Sequence, residues 1–129
     1  MVSEVGLRIV RDRLLKLHKT LLDAERANYE EDHGPVRTSG DMLQLVLGHE
    51  HFAWLRPYSQ LIVRIDEWLS DDEQAESKGE ALLSEADRLT APAGAPEGHP
   101  NGRYRLLVDS VPEAALAHVS TRQAITEAR

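Results

Sequence analysis

Leu7, Val10, Leu14, Leu17, Leu21 and Ala24 recur at alternating spacings of three and four, with Leu15, Leu22 and Tyr29 widening the stripe. Apolar residues at that period share one face of a helix, so the pattern predicts an amphipathic helix from about Ser3 to Asp32. It stops at His33-Gly34-Pro35, where glycine can take a left-handed cap and proline cannot continue the hydrogen-bond ladder. At 1.5 Å per residue such a helix is roughly 40 Å long, and it needs partners of similar length to cover its stripe.

The same reasoning extends along the chain. Gly40 to Leu47 reads as a short helix that Gly48 ends or kinks. A third helix is predicted from about Arg56 to Leu69, with Pro57 in its first turn and Tyr58, Leu61, Ile62, Ile65 and Leu69 on one face. Ser70-Asp-Asp-Glu73 fits a capping box opening a fourth helix to about Leu89, whose stripe is Ala75, Gly79, Leu82, Leu83, Ala86 and Leu89. Residues 91–102 hold three prolines and three glycines and read as a loop, followed by a short element over Arg103 to Val108. Ser110-Val-Pro-Glu113 is a second capping-box signal for a last helix to about Ile125, alanine-rich and weak in apolar face, with residues 121–129 able to fray.

These elements make an all-α fold, four-helix-bundle-like and mostly up-and-down, with additional short helices in a single domain over residues 1–129. If the second helix is a connector, the first and third run antiparallel and the fourth returns parallel to the first, bringing acidic Asp71 to Glu76 near basic Arg8 to Lys19.

Composition sharpens this picture. Aromatic residues are 5% of the chain, so leucine, valine, isoleucine and alanine must supply most of the core, a mixture that favours helices. Four of the six aromatics, Phe52, Trp54, Tyr58 and Trp68, fall in one stretch beside His49, His51 and Arg56. They are expected to plug one end of the bundle, with Trp54 as a core anchor, or else to form a partner-binding patch. The absence of cysteine excludes a disulfide framework, a thiolate metal site and a cysteine nucleophile, and fits a reducing cytoplasm.

The net charge of −7 opposes broad binding to nucleic acid or anionic membranes, and no apolar run approaches a membrane span. Residues 1–20 carry +3, leaving −10 for the rest. Two copies of the first helix packed antiparallel would set Arg8 to Lys19 against Asp23 to Asp32, so a homodimer is expected, with a further protein partner also conceivable.

Candidate chemistry is sparse. Arg11, His18 and Glu25 project into the arc of Leu14, Leu21 and Leu22, a polar ladder on an otherwise apolar face. With a histidine from the 49–51 segment, His18 and Glu25 could line a ligand or metal pocket; the alternative is a structural network. His49-x-His51 could supply two metal ligands, but no His-x-x-x-His occurs and Glu30-Glu-Asp-His33 is the single Glu-x-x-His string. A hemerythrin-like or other metal-binding bundle is thus a rival reading, as is a small-ligand-binding or enzymatic bundle using His49, His51, Trp54 and Arg56. No cofactor is implied, and neither a phosphate loop nor a Gly-x-Ser-x-Gly elbow is present.

Leu14 to Glu30, Phe52-Ala-Trp-Leu-Arg-Pro-Tyr-Ser59 and Leu61 to Glu67 together resemble a family of small bacterial helical-bundle proteins, over about residues 7 to 90. The resemblance implies a helical bundle of bacterial origin and brings no activity or catalytic residue with it. The reading that follows is an interaction or regulatory module without chemistry of its own.

Overall fold

The computed structural model describes residues 2–91 and 102–129. The helices are α1 (Glu4–His33), α2 (Ser39–Gly48), α3 (Glu50–Ala53), α4 (Arg56–Ser70), α5 (Glu76–Leu89), α6 (Gly102–Ser110) and α7 (Pro112–Ala128), with no strand among the described residues. The all-α bundle expected from the periodicity is present. Most of the Pro/Gly-rich loop, including His99, lies outside the described residues.

Helix α1 begins where Ser3 Oγ accepts from Gly6 N and ends where Gly34, at φ 82°, turns its N–H back to Glu30 O. Its inward stripe of Leu7, Val10, Leu14, Leu17 and Leu21 is buried, and α4 and α7 pack along it. Helix α4 runs antiparallel to α1: Arg11 Nε donates to Asp66 near the end of α4 at 2.8 Å, while Tyr29 meets Phe52 just before its start. Helix α5 comes back parallel to α1, with Glu76 Oε1 accepting from Val2 N at 3.1 Å. Tyr58 O–H donates to Leu89 O at 2.9 Å and ties the opposite end of α5 to α4. The expected charge contact is narrower than drawn: Asp66 and Glu76 reach the α1 terminus, and Arg8 pairs within α1 with Glu4.

Two expectations about helix starts fail. Ser70 and Ser110 each end the preceding helix instead of capping the next, and α5 and α7 start after Ala75 and Val111 with no side-chain cap. At α5 the reason is tertiary. Trp68 Nε1 donates to Ala75 O at 3.0 Å, and Asp71 Oδ1 closes a turn onto Glu73 N, so the entry is delayed by several residues. Trp68 lies so close over α5 that a methyl at Gly79 would stand 2.9 Å from its Cζ2.

Helix α7, weak by its sequence, is one of α1's two main partners. Ala114, Ala117, Thr121, Ala124, Ile125 and Ala128 are buried, and small side chains let two helices approach closely. It runs antiparallel to α1, with Thr121 facing the Arg13 carbonyl, and stays helical to Ala128. Helix α2 is the least integrated: it buries no residue, and Leu43 and Leu47 are exposed.

The candidate cleft at Glu25

Glu25 sits on the buried side of α1 and is 0% exposed. A carboxylate so placed needs partners, because an isolated buried charge is costly. Arg103, at the start of α6, supplies one: its Nε donates to Glu25 Oε1 at 2.5 Å. His51 supplies the other neighbour, with Nε2 at 2.6 Å from Glu25 Oε2. Each oxygen of the buried carboxylate thus has a basic neighbour, Arg103 on Oε1 and His51 on Oε2.

His51 is positioned by its surroundings. The one-turn α3 starts where His49 Nδ1 accepts from His51 N at 3.1 Å, and the His51 ring packs edge-on to Phe52 and Tyr29. Trp54, at the end of α3, is half-buried and packs against the core instead of within it, which corrects the expectation of a core anchor; the large buried aromatics are Phe52, Tyr58, Trp68 and Tyr104. Its indole lies edge-on to Tyr58, and its Nε1 is a buried polar atom without a hydrogen bond.

Glu25, His51, Trp54 and Arg103 all line one open cleft of about 710 Å³ between α1, α3 and α6. Leu106 and Leu107 form its apolar wall, and Glu31 and Asp32 lie at its lip. Ser110, the hydroxyl in the lining, donates to Leu106 O, and no hydrogen bond joins it to His51. A His-activated serine nucleophile is therefore not assembled here.

Behind the cleft, Tyr58 stacks on Tyr104 with ring centroids 5.5 Å apart. Tyr104 O–H reaches His118 Nδ1 at 2.5 Å. Burial pushes both phenols well above their ordinary pKa, and burial followed by the charges of Arg105 and Arg122 holds His118 below the usual imidazole value. The Tyr104–His118 hydrogen bond ties α6 to α7 behind the cleft.

Of the residues singled out by sequence, Glu25, His51 and Trp54 come together; His18, His49 and Arg56 do not join them. His18 is half-buried two turns away on α1, and burial lowers its pKa. His49 turns toward a neighbouring hollow of about 450 Å³, lined also by Tyr29 and His33, whose rings stack at 4.2 Å. Arg56 ties α2 to α4 by donating to Leu47 O at 3.2 Å. Arg11, the third rung of the polar ladder, is committed to Asp66 and Asp12. Among the described residues, no three His, Asp or Glu side chains converge in a way that could hold a metal ion. Arg103 escaped the sequence reading because nothing near it in the chain marks it. The available signal was indirect: a carboxylate on the apolar face of α1 demands a cation from elsewhere.

The chain matches no protein-family model, no curated protein and no solved structure. No helix among the described residues is long and apolar enough to cross a membrane.

Proposed function

We propose that this chain is a binding module that takes a small polar ligand in the cleft at Glu25, His51, Trp54 and Arg103. One observation carries the reading: the fully buried Glu25 carboxylate, flanked by Arg103 and His51, and Trp54, whose indole N–H has no hydrogen-bond partner, line the same open cleft. A buried N–H left unsatisfied costs about 1–3 kcal/mol. A ligand whose acceptor meets it would recover that free energy on binding. A cleft whose charged groups are paired with one another suits recognition better than catalysis, and the reading keeps the protein a bacterial, cytoplasmic interaction or regulatory module. Thermal-shift screening of a polar metabolite library tests it. Binders should raise Tm, and Trp54→Phe, which removes the N–H and keeps a ring, should weaken them. A library without a hit, or hits indifferent to Trp54 and His51 substitutions, would refute the cleft as the binding site.

A homodimer is a second element of the proposal, supported by Val5, Ile9 and Leu15, which are exposed on α1. The charge part of that expectation loses support, because Arg8, Arg11 and Lys19 already have carboxylate partners in their own chain. Sedimentation at several concentrations should give a dimer insensitive to salt. A monomer throughout would remove it.

A further inference from the structure

A line of aromatic rings runs from the cleft into the core. Trp54, half-buried, lines the cleft and lies edge-on to Tyr58 with ring centroids 5.9 Å apart. Tyr58 stacks on Tyr104 at 5.5 Å with an interplanar angle of 16°, and the Tyr104 ring meets His118 at 5.6 Å. The other indole, Trp68, contacts no ring among the described residues and donates to Ala75 O. In a chain without cysteine, indole and phenol are the side chains from which a single electron is most readily taken.

The rings differ in what can receive their proton. A phenol that loses an electron becomes a strong acid, so it is oxidised readily only where a base is already in place to take the proton. Tyr58 O–H donates to the Leu89 carbonyl, which is no base, and the Tyr29 phenol has no hydrogen bond among the described residues. Tyr104 is 0% exposed, and its oxygen has one hydrogen-bond partner, His118 Nδ1, at 2.5 Å. With the O–H as donor no buried hydroxyl proton is left unpaired, which makes the imidazole nitrogen the acceptor. Trp54 is the opposite case. Its buried Nε1 has no hydrogen-bond partner, so an oxidised indole cannot shed its proton there and remains a strong oxidant toward its neighbours.

We propose that Trp54, Tyr58 and Tyr104 form an electron-transfer path that moves one-electron oxidation from the cleft to Tyr104. A one-electron oxidant at the cleft, of the class of oxygen-centred radicals or oxidised metal complexes, takes an electron from the Trp54 indole and is reduced. Tyr104 replaces that electron across the Tyr58 ring while its O–H proton moves to His118 Nδ1. The products are the reduced oxidant, a neutral Tyr104 phenoxyl radical and a His118 imidazolium. Burial and then the charges of Arg105 and Arg122 oppose the added proton and Asp109 favours it, and His118 borders an open hollow of about 420 Å³ through which it leaves to water. The path does not depend on what the cleft binds.

Flash oxidation of the full chain by a ruthenium(III) polypyridyl, generated with persulfate, tests this by transient absorbance and electron paramagnetic resonance. An indolyl radical should form first and decay at the rate at which a phenoxyl radical appears. Tyr104→Phe should remove that phenoxyl and prolong the indolyl radical, and His118→Phe should slow the conversion about a hundredfold, the scale of a positioned base. Trp54→Phe should cut the Tyr104 phenoxyl yield several-fold. If a core variant does not fold, the wild-type rate in D2O decides, because a coupled proton slows it. Equal rates in H2O and D2O would overturn the role of His118. An indolyl radical that decays as fast in Tyr104→Phe as in wild type would overturn the path, and a Tyr104 phenoxyl undiminished in Trp54→Phe would overturn its entrance.

Discussion

Replacing Arg103 by methionine removes the cation from Glu25 and keeps most of the apolar stem. Breaking a buried pair from one side costs about 3–5 kcal/mol, because the remaining charge stays desolvated. Here Glu25 is 0% exposed but the Arg103 side chain is 35% exposed, so water already screens part of the interaction. His51, 2.6 Å from the other carboxylate oxygen, also offers partial compensation. We therefore expect a loss of about 2 kcal/mol, or about 1 M in urea midpoint at an m-value of about 2 kcal/mol/M. Glu25→Leu combined with Arg103→Met should recover most of the loss, since the desolvation cost disappears with the charge. Equilibrium urea unfolding followed by tryptophan fluorescence measures Arg103→Met, Glu25→Leu and the double variant and gives the coupling by a double-mutant cycle. If Arg103→Met stays within about 0.5 kcal/mol of wild type, as surface substitutions do, Glu25 is not the desolvated charge argued here.

Gly79→Ala should destabilise by about 1 kcal/mol or more although alanine is the better helix former, because the new methyl meets Trp68 at 2.9 Å; a raised denaturation midpoint would refute the contact. Asp87 is raised by burial, but the hydrogen bond and charge of Arg122, then Arg129, outweigh this and bring its pKa below the ordinary value. Its contribution is thus present above the unfolded carboxylate pKa of about 3.9 and lost as pH falls through the folded value. Asp87→Asn should cost about 1 kcal/mol at pH 7 and progressively less below pH ~4, which urea midpoints at pH 7 and 3 will check. His18, lowered by burial, binds its proton more readily unfolded than folded, so it removes stability as pH drops below about 6.5. His18→Gln should therefore lose less stability than wild type between pH 7.5 and 5, and equal losses would contradict the burial argument.

The elements of the bundle were legible where side-chain period and terminal chemistry agreed. Leu7 to Leu21 with Ser3 and Gly34 define α1 almost to the residue, since the whole stripe is local. The start of α5 was not, because a tertiary bond from Trp68 overrides the cap offered by Ser70. Helix α7 was undervalued for a related reason: alanine contributes little buried area of its own, yet its smallness permits the close approach that makes α7 a main partner of α1. At the cleft, helix geometry alone put Glu25 on the apolar face, and the aromatic stretch flagged His51 and Trp54. The same geometry also put His18 there, but two turns separate it from Glu25 and no element among the described residues brings it a hydrogen-bond or ion-pair partner. Arg103 could not be read at all, because its role depends on where α6 lands.

The Arg103–Glu25 pair joins residues 78 positions apart, and Thr121 meets the Arg13 carbonyl across 108. During synthesis α1 to α5 leave the ribosome first, and Glu25 spends that interval without its cation. The cleft is therefore among the last parts of the molecule to exist, finished only when α6 and α7 close onto α1. An incomplete chain exposes the apolar side of α1 that α7 should cover and at the same time lacks the finished cleft. A ligand of the proposed kind would stabilise only the finished molecule, so occupancy would distinguish completed chains from those still open to chaperones and proteases.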